Sequence, residues 1–435
     1  MDAMPLKRDL AAARSLITNL VRSRRNRRAV VRRAPRHPQP AAGSIQIAVF
    51  FADTTENIYQ IQQWYKPLAR LATRWPVAII ARSPGTVLKL WDEAPVPSVY
   101  ARTIAGLEAF ISGQDLRIVF YVNQNTRNFQ MFRYGRMWHV FVNHGESDKL
   151  YMTSNQIKAY DYSFVAGQAA LDRLSRKLWD FDVVKKAIAI GRPQTDYIAG
   201  SVPYPVDART VVLYAPTWEG DRPAAAYGSI VSHGRALTDA LLASDRHRLI
   251  YRPHPRSGIV DPAYRAANAD IIGAIARANA VDPSARHTYD DGAELGWQFA
   301  AADVAISDIS AMIYDRLATG KPLIVTRPSS PEAEIETRGY LGSCEWLDAA
   351  ASIDIIATLD RVQHDAQALE RLRFWAEHHF GDTSPGAATA RFHAAVETLM
   401  AQWERHAALH KQEEGRSESD GFEDDEDEDA LPAGD

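Results

Sequence analysis

Asp303-Val304-Ala305-Ile306-Ser307-Asp308-Ile309-Ser310-Ala311-Met312-Ile313-Tyr314-Asp315 reads as a buried strand, a polar turn and the start of a helix. The apolar run predicts a strand ending at Ile306 or Ser307, covered on both faces. Ser307, Asp308 and Ser310 are side chains that cap helix N-termini, so a helix is predicted over 310–319. The free N–H groups and dipole of such a start make an anion site, although a capped helix is also a common plain feature.

The same strand–turn–helix grammar extends in both directions. Strands are predicted at 323–326, 248–252 and 211–215, with helices over 236–243 and 293–301 between them and a last helix from 387 to about 403. Upstream, a break at 200–207 carries Pro203 and Pro205. Before it the pattern repeats, with strands at 45–51, 77–82, 117–122, 139–143, 162–166 and 187–190, and helical spacing over 58–71. Alternation of this kind defines an α/β protein with mostly parallel sheets and covered faces. Two such lobes joined near residue 205 imply a cleft, with ligands at the carboxyl ends of the strands.

Composition agrees with an ordinary globular chain: 435 residues, 46% hydrophobic and 24% charged. The single cysteine, Cys344, excludes a disulfide framework and a four-thiolate zinc site. No apolar run approaches the ~20 residues of a spanning helix, and no secretory signal is expected. Charge is strongly uneven. Residues 1–43 carry eleven Lys/Arg against Asp2 and Asp9, and residues 413–435 carry twelve acids against Arg416. The organisation read from this is a basic N-terminal arm (1–43), two lobes (44–205 and 206–405) and an acidic tail (406–435), expected to be disordered. Leu6, Leu10, Ala13, Ile17, Leu20 and Val21 give the arm an amphipathic stripe. Such an arm suits an anionic membrane surface rather than nucleic acid.

Four polar turns follow predicted strands. In Asn143-His144-Gly145-Glu146, the ordinary pKa of histidine near neutral pH suits His144 to a general base, and Gly145 is expected to permit the turn. In Arg252-Pro253-His254-Pro255-Arg256, two prolines fix the histidine, and Arg252 and Arg256 suit phosphate oxygens. Pro216-Thr217-Trp218 offers a hydroxyl and a ring that either stacks on a ligand or fills the core. The fourth turn is Ser307–Ser310. There is no P-loop, G-x-G-x-x-G or H-E-x-x-H, which argues against an ATPase, a dinucleotide oxidoreductase and a zincin.

These turns, with Tyr160-Asp161-Tyr162, Ile190-Gly191-Arg192-Pro193-Gln194-Thr195-Asp196 and Gly320-Lys321-Pro322, resemble the CDP-glycerol glycerophosphotransferases of teichoic acid synthesis. The likeness runs in order over residues 120–340. It implies a GT-B-like fold of two Rossmann-type lobes with a central cleft. It also implies transfer of glycerol phosphate, or a related polyol phosphate, from a CDP-activated donor to a hydroxyl of a membrane-linked acceptor, releasing CMP. His144 then corresponds to the general base and His254 to a residue near the donor diphosphate. Arg252, Arg256, Thr217, Ser307, Asp308 and Ser310 are the donor-side set, with Gly145, Trp218 and Asp315 as further members. Glu146 stands where the family usually has a small hydroxyl residue, and Ile309 and Ala311 depart from its serine turn. No metal or cofactor is expected, and the location implied is the cytoplasmic face of the cell membrane. Two other readings use the same features: a GT-B nucleotide-sugar glycosyltransferase or epimerase, and a non-catalytic membrane-surface binding protein.

Overall fold

The computed structural model describes residues 21–146, 153–197, 202–292, 296–337 and 339–410. Seven strands form the first sheet: β1 (Ile47–Phe51), β2 (Val77–Ala81), β3 (Ser98–Tyr100), β4 (Ile118–Tyr121), β5 (Trp138–Phe141), β6 (Tyr162–Val165) and β7 (Ala187–Ala189). Six form the second: β8 (Thr210–Ala215), β9 (His247–Tyr251), β10 (Thr288–Tyr289), β11 (Val304–Ser307), β12 (Leu323–Thr326) and β13 (Glu345–Leu347). The orders are β3-β2-β1-β4-β5-β6-β7 and β10-β9-β8-β11-β12-β13. All pairings are parallel. Each order reverses once, at β1/β4 and at β8/β11, so each lobe is a doubly wound Rossmann-type unit.

The strands form because both faces are buried. In β1, Ile47, Val49 and Phe51 pack into one apolar cluster, and Ala48 and Phe50 pack into another on the opposite face. In β8, Val212 and Tyr214 alternate in the same way with Val211, Leu213 and Ala215. The helix predicted over 58–71 is broken into Tyr59–Gln62 and Tyr65–Leu71. The one predicted over 310–319 is the shorter Ala311–Leu317.

Two segments belong to the first lobe in ways the sequence does not announce. Residues 21–33 are helical and dock on the helix Pro84–Glu93. Val30 enters the core, Arg33 pairs with Asp92, and the His37 ring stacks on Trp91 at 4.5 Å. This part of the basic segment is therefore fixed to the lobe. The stripe at Leu6, Leu10, Ala13, Ile17 and Leu20 lies outside the described residues, as does the acidic tail from 411. The last helix, Ala387–His410, crosses back and packs Phe392, Val396, Leu399 and Met400 into the first lobe's core. Trp138 Nε1 donates to Leu399 O at 3.1 Å, and Tyr162 Oη donates to Gln402 Oε1 at 2.9 Å.

The lobes also meet near the strand ends. Arg192 of the first pairs with Asp315 of the second at 2.5 Å, both buried. Gly167 lies against the backbone of the helix Ala366–Phe380; a Cβ there would sit 2.5 Å from the carbonyl oxygen of His379.

Candidate active site

In the first lobe, β5 leads through Val142 and Asn143 into His144. The left-handed residue of this turn is Asn143, at φ 54°, and not Gly145 as the sequence suggests. A short amide tolerates that region because it can bond locally, and Asn143 Nδ2 donates to Gly145 O at 2.7 Å. Gly145 serves differently: its missing side chain leaves the Arg192 guanidinium alongside, with Nη1 3.6 Å from where a Cβ would stand. His144 Nδ1 lies 2.9 Å from Val122 O, and its ring meets the half-exposed Tyr59 edge-on at 5.9 Å. A carbonyl only accepts, so Nδ1 carries the proton and the neutral ring keeps its lone pair on Nε2. Glu146 is buried and paired with Arg173.

In the second lobe three predicted turns come together at the ends of β8, β9 and β11. The His254 N–H donates to Pro216 O at 3.0 Å. Asp308 accepts from the N–H groups of Thr217 (2.7 Å) and Ser229 (3.0 Å) and from the Thr326 hydroxyl (2.5 Å). The Arg256 N–H donates to His254 Nδ1 at 3.1 Å. That nitrogen must therefore accept, and the neutral ring carries its proton on Nε2. The two histidines thus have opposite tautomers: Nε2 is the basic nitrogen in His144 and an N–H donor in His254. The Arg256 guanidinium lies over the Trp218 ring, 4.0 Å from its centroid, a cation–π contact at the turn. Glu219 holds the loop after His254 by accepting from the N–H groups of Gly258, Val260 and Asp261.

Other donor-side expectations are corrected. Arg252 turns to Asp290 and to Gly292 O, so its charge is already matched within the fold. Ser307 is buried, with its hydroxyl donated to Ala215 O at 2.9 Å. Asp308 is 0% exposed and positions the turn instead of facing a ligand. Ser310 caps its helix as read, accepting from the Met312 N–H at 3.3 Å. Asp315 is buried against Arg192, with its carboxyl raised by burial against the pull of that guanidinium. Among the described residues no group of three His, Cys, Asp or Glu side chains could hold a metal ion. Tyr59, Arg192, Glu219 and Asp290 also build the site. Arg192 is marked in the sequence only by its place in the Ile190–Asp196 run, Glu219 and Asp290 only as polar residues after a strand, and Tyr59, in a short helix, by nothing.

Burial pushes the Asp308 carboxyl up to about 6, against the opposing pull of its Ser229, Thr326 and Thr217 donors. The folded state therefore holds this proton more tightly than the unfolded chain does. The resulting stabilisation is full below about pH 4 and is lost as pH rises through about 6, a change of about 3 kcal/mol. Asp308→Asn can still accept from the two N–H groups while donating to Thr326. It is expected to keep stability that the wild type loses between pH 4 and 7. Asp308→Ala orphans those donors and also lacks the titrating carboxyl, so its cost relative to the wild type should be about 2 to 3 kcal/mol larger at pH 4 than at pH 7. Urea unfolding at both pH values checks this; parallel pH profiles for wild type and Asn variant would rule the account out.

Two doubly wound lobes with polar turns at their strand ends define the class: a two-lobed GT-B-type fold. The chain belongs to the CDP-glycerol:poly(glycerophosphate) glycerophosphotransferase family, whose model matches residues 140–391. It is accordingly a transferase. No curated protein sequence matches it significantly. Among solved structures, a protein described as a UDP-N-acetylglucosamine 2-epimerase from Listeria monocytogenes matches at TM-score 0.55 and 15% identity, covering 83% of this chain and 98% of that one. A variant of the wall teichoic acid polymerase TagF soaked with CDPG matches at TM-score 0.54 and 12% identity, covering 92% and 99%. At these identities the likeness is one of fold.

Proposed function

We propose that the protein transfers glycerol phosphate, or a related polyol phosphate, from a CDP-activated donor to a hydroxyl of a membrane-linked acceptor, releasing CMP. The product is then a teichoic-acid-like polymer of the cell envelope. The observation that carries this reading is the pair of opposite ring contacts, His144 Nδ1 to Val122 O and the Arg256 N–H to His254 Nδ1, on strand-end turns of different lobes. The acceptor oxygen attacks the donor's β-phosphorus and its proton passes to His144 Nε2. The bond from that phosphorus to the CMP oxygen breaks. The His254 Nε2–H and Arg256 stabilise charge on the phosphoryl oxygens and the leaving CMP. Positioning of donor and acceptor supplies much of the rest.

The docked helix over 21–33 supports a membrane-facing surface. It exposes Arg22, Arg24, Arg25, Arg27, Arg28 and Arg32, each worth about 1 kcal/mol near an anionic bilayer. No described helix is long and apolar enough to cross a membrane. On this reading the enzyme works at the cytoplasmic face, held there peripherally.

One assay tests the whole proposal. The purified chain is given CDP-glycerol, CDP-ribitol or a UDP-sugar, with vesicles of anionic lipid carrying crude lipid-linked acceptor. Free nucleotide and sedimented protein are then measured. CMP release from a CDP-polyol and salt-sensitive sedimentation are expected. UDP release from the UDP-sugar alone would replace this reading with the glycosyltransferase or epimerase one. Protein remaining in the supernatant at low salt would remove the membrane arm.

A further inference from the structure

Beneath the His144–Gly145 turn, at the carboxyl ends of β5, β6 and β7, lies a hollow of about 50 Å³. That is room for a few groups of water size. Phe164 and Leu174 give it apolar walls, and Ser163, Arg173, Glu146 and Arg192 are its charged and hydroxyl lining. Two of these carry unmet hydrogen bonds. Ser163 is 1% exposed and Arg192 is 7% exposed, and among the described residues neither Ser163 Oγ nor Arg192 Nη1 has a hydrogen-bond partner. Buried polar atoms are almost always paired, so two unpaired ones in one hollow call for oxygen from outside the chain. Gly145, with no side chain, leaves Arg192 Nη1 uncovered from the turn above.

Charge decides what kind of oxygen fits. Arg192 is already matched by Asp315, and Arg173 by Glu146. The surroundings are balanced, and a phosphate here would set its charge against the Glu146 carboxylate with no uncompensated cation to meet it. A hydroxyl carries no charge and both donates and accepts, which suits an unpaired N–H, an unpaired O–H and a nearby carboxylate. Its carbon would rest on Phe164. The His144 ring is turned the other way, toward Val122, so this hollow does not hold the reacting hydroxyl.

We propose that the hollow is a subsite for a neutral, hydroxyl-bearing unit of the acceptor, the polyol or sugar unit adjacent to the one that reacts. The proposal rests on the transfer reading above. It also accounts for Glu146: paired with Arg173, it balances the charge of the lining and makes the subsite select polyol over phosphate.

Ser163→Ala removes one hydrogen bond and should raise KM for the acceptor about 3- to 10-fold. Ser163→Val also fills the space and should raise it further. KM for the CDP-linked donor should stay within about twofold. Thermal stability should hold or rise, since the group lost is an unpaired buried hydroxyl; a merely structural serine would show the reverse pattern. Glycerol and ribitol should compete with the acceptor on the wild type and not on Ser163→Val, and inorganic phosphate should not compete. Unchanged acceptor KM in both variants, or competition by phosphate equal to that by polyol, overturns the proposal. If the wild type turns over no donor, the transfer reading fails by itself. Saturation-transfer NMR with ribitol then decides the hollow: binding to wild type and not to Ser163→Val upholds a polyol site, and no binding to either means it holds water only.

Discussion

His144→Gln is expected to lower kcat for CMP release by about 10²- to 10⁴-fold, the usual contribution of a general base. Glutamine places its amide at the reach of Nε2 and so gives up the bond from Nδ1 to Val122 O, which makes thermal unfolding the necessary control on the turn. What it lacks is a basic nitrogen at the Nε2 position, where the acceptor proton must go. KM for the donor should change little, because the donor-side turns belong to the other lobe. The acid limb of the pH–kcat profile, where the wild type loses its deprotonated base, should also flatten. Steady-state nucleotide release, with thermal unfolding as the check on folding, reads all of this. A loss smaller than tenfold in a folded variant would remove His144 from the proton-transfer role.

The parts of the fold that the sequence shows clearly are the strands buried on both faces. Residues 47–51, 77–81 and 304–306 are continuous apolar runs because helices cover both sides of each sheet. The edge strands β3, β10 and β13, of three, two and three residues, are too short to show a period, whereas the equally short β7 shows because residues 187–190 are an unbroken apolar run. The destination of the last helix was also illegible. Phe392, Val396, Leu399 and Met400 mark an apolar face, but a face does not name its partner, and it is the first sheet that receives it. The same distinction holds at the site. Polar turns after apolar strands are visible in the sequence, and they single out His144, His254, Thr217 and Ser310 as candidates. Side-chain direction is not visible there. Asp308 and Arg252 look like ligands for a phosphate in one dimension; in three, one is an internal latch and the other is matched by Asp290. Residue type points to Gly145 for the turn, whereas the bond from Asn143 Nδ2 to Gly145 O lets asparagine take the left-handed conformation. Tautomers depend on which backbone group stands beside each ring, which no linear pattern records.

That last feature makes the two histidines separable by experiment. The His254 turn is pinned by its own backbone: its N–H donates to Pro216 O at 3.0 Å, and its carbonyl accepts from the Ser257 N–H at 2.9 Å. The side chain is exposed, so replacing it should change stability by no more than about 0.5 kcal/mol. His254→Ala removes the Nε2–H donor and should cost about 10²- to 10³-fold in kcat, the range for losing one preorganised donor to developing negative charge. His254→Gln restores an amide N–H at a similar reach and should recover at least tenfold of that loss. No such recovery is expected at position 144, where an amide cannot accept a proton from the acceptor. The pattern follows from what each ring nitrogen faces: a carbonyl fixes the proton on Nδ1 in one, and an N–H displaces it to Nε2 in the other. If glutamine instead rescues position 144 and fails at 254, the assignment of base and donor to the two lobes is reversed, and the direction of proton flow proposed for this cleft is wrong.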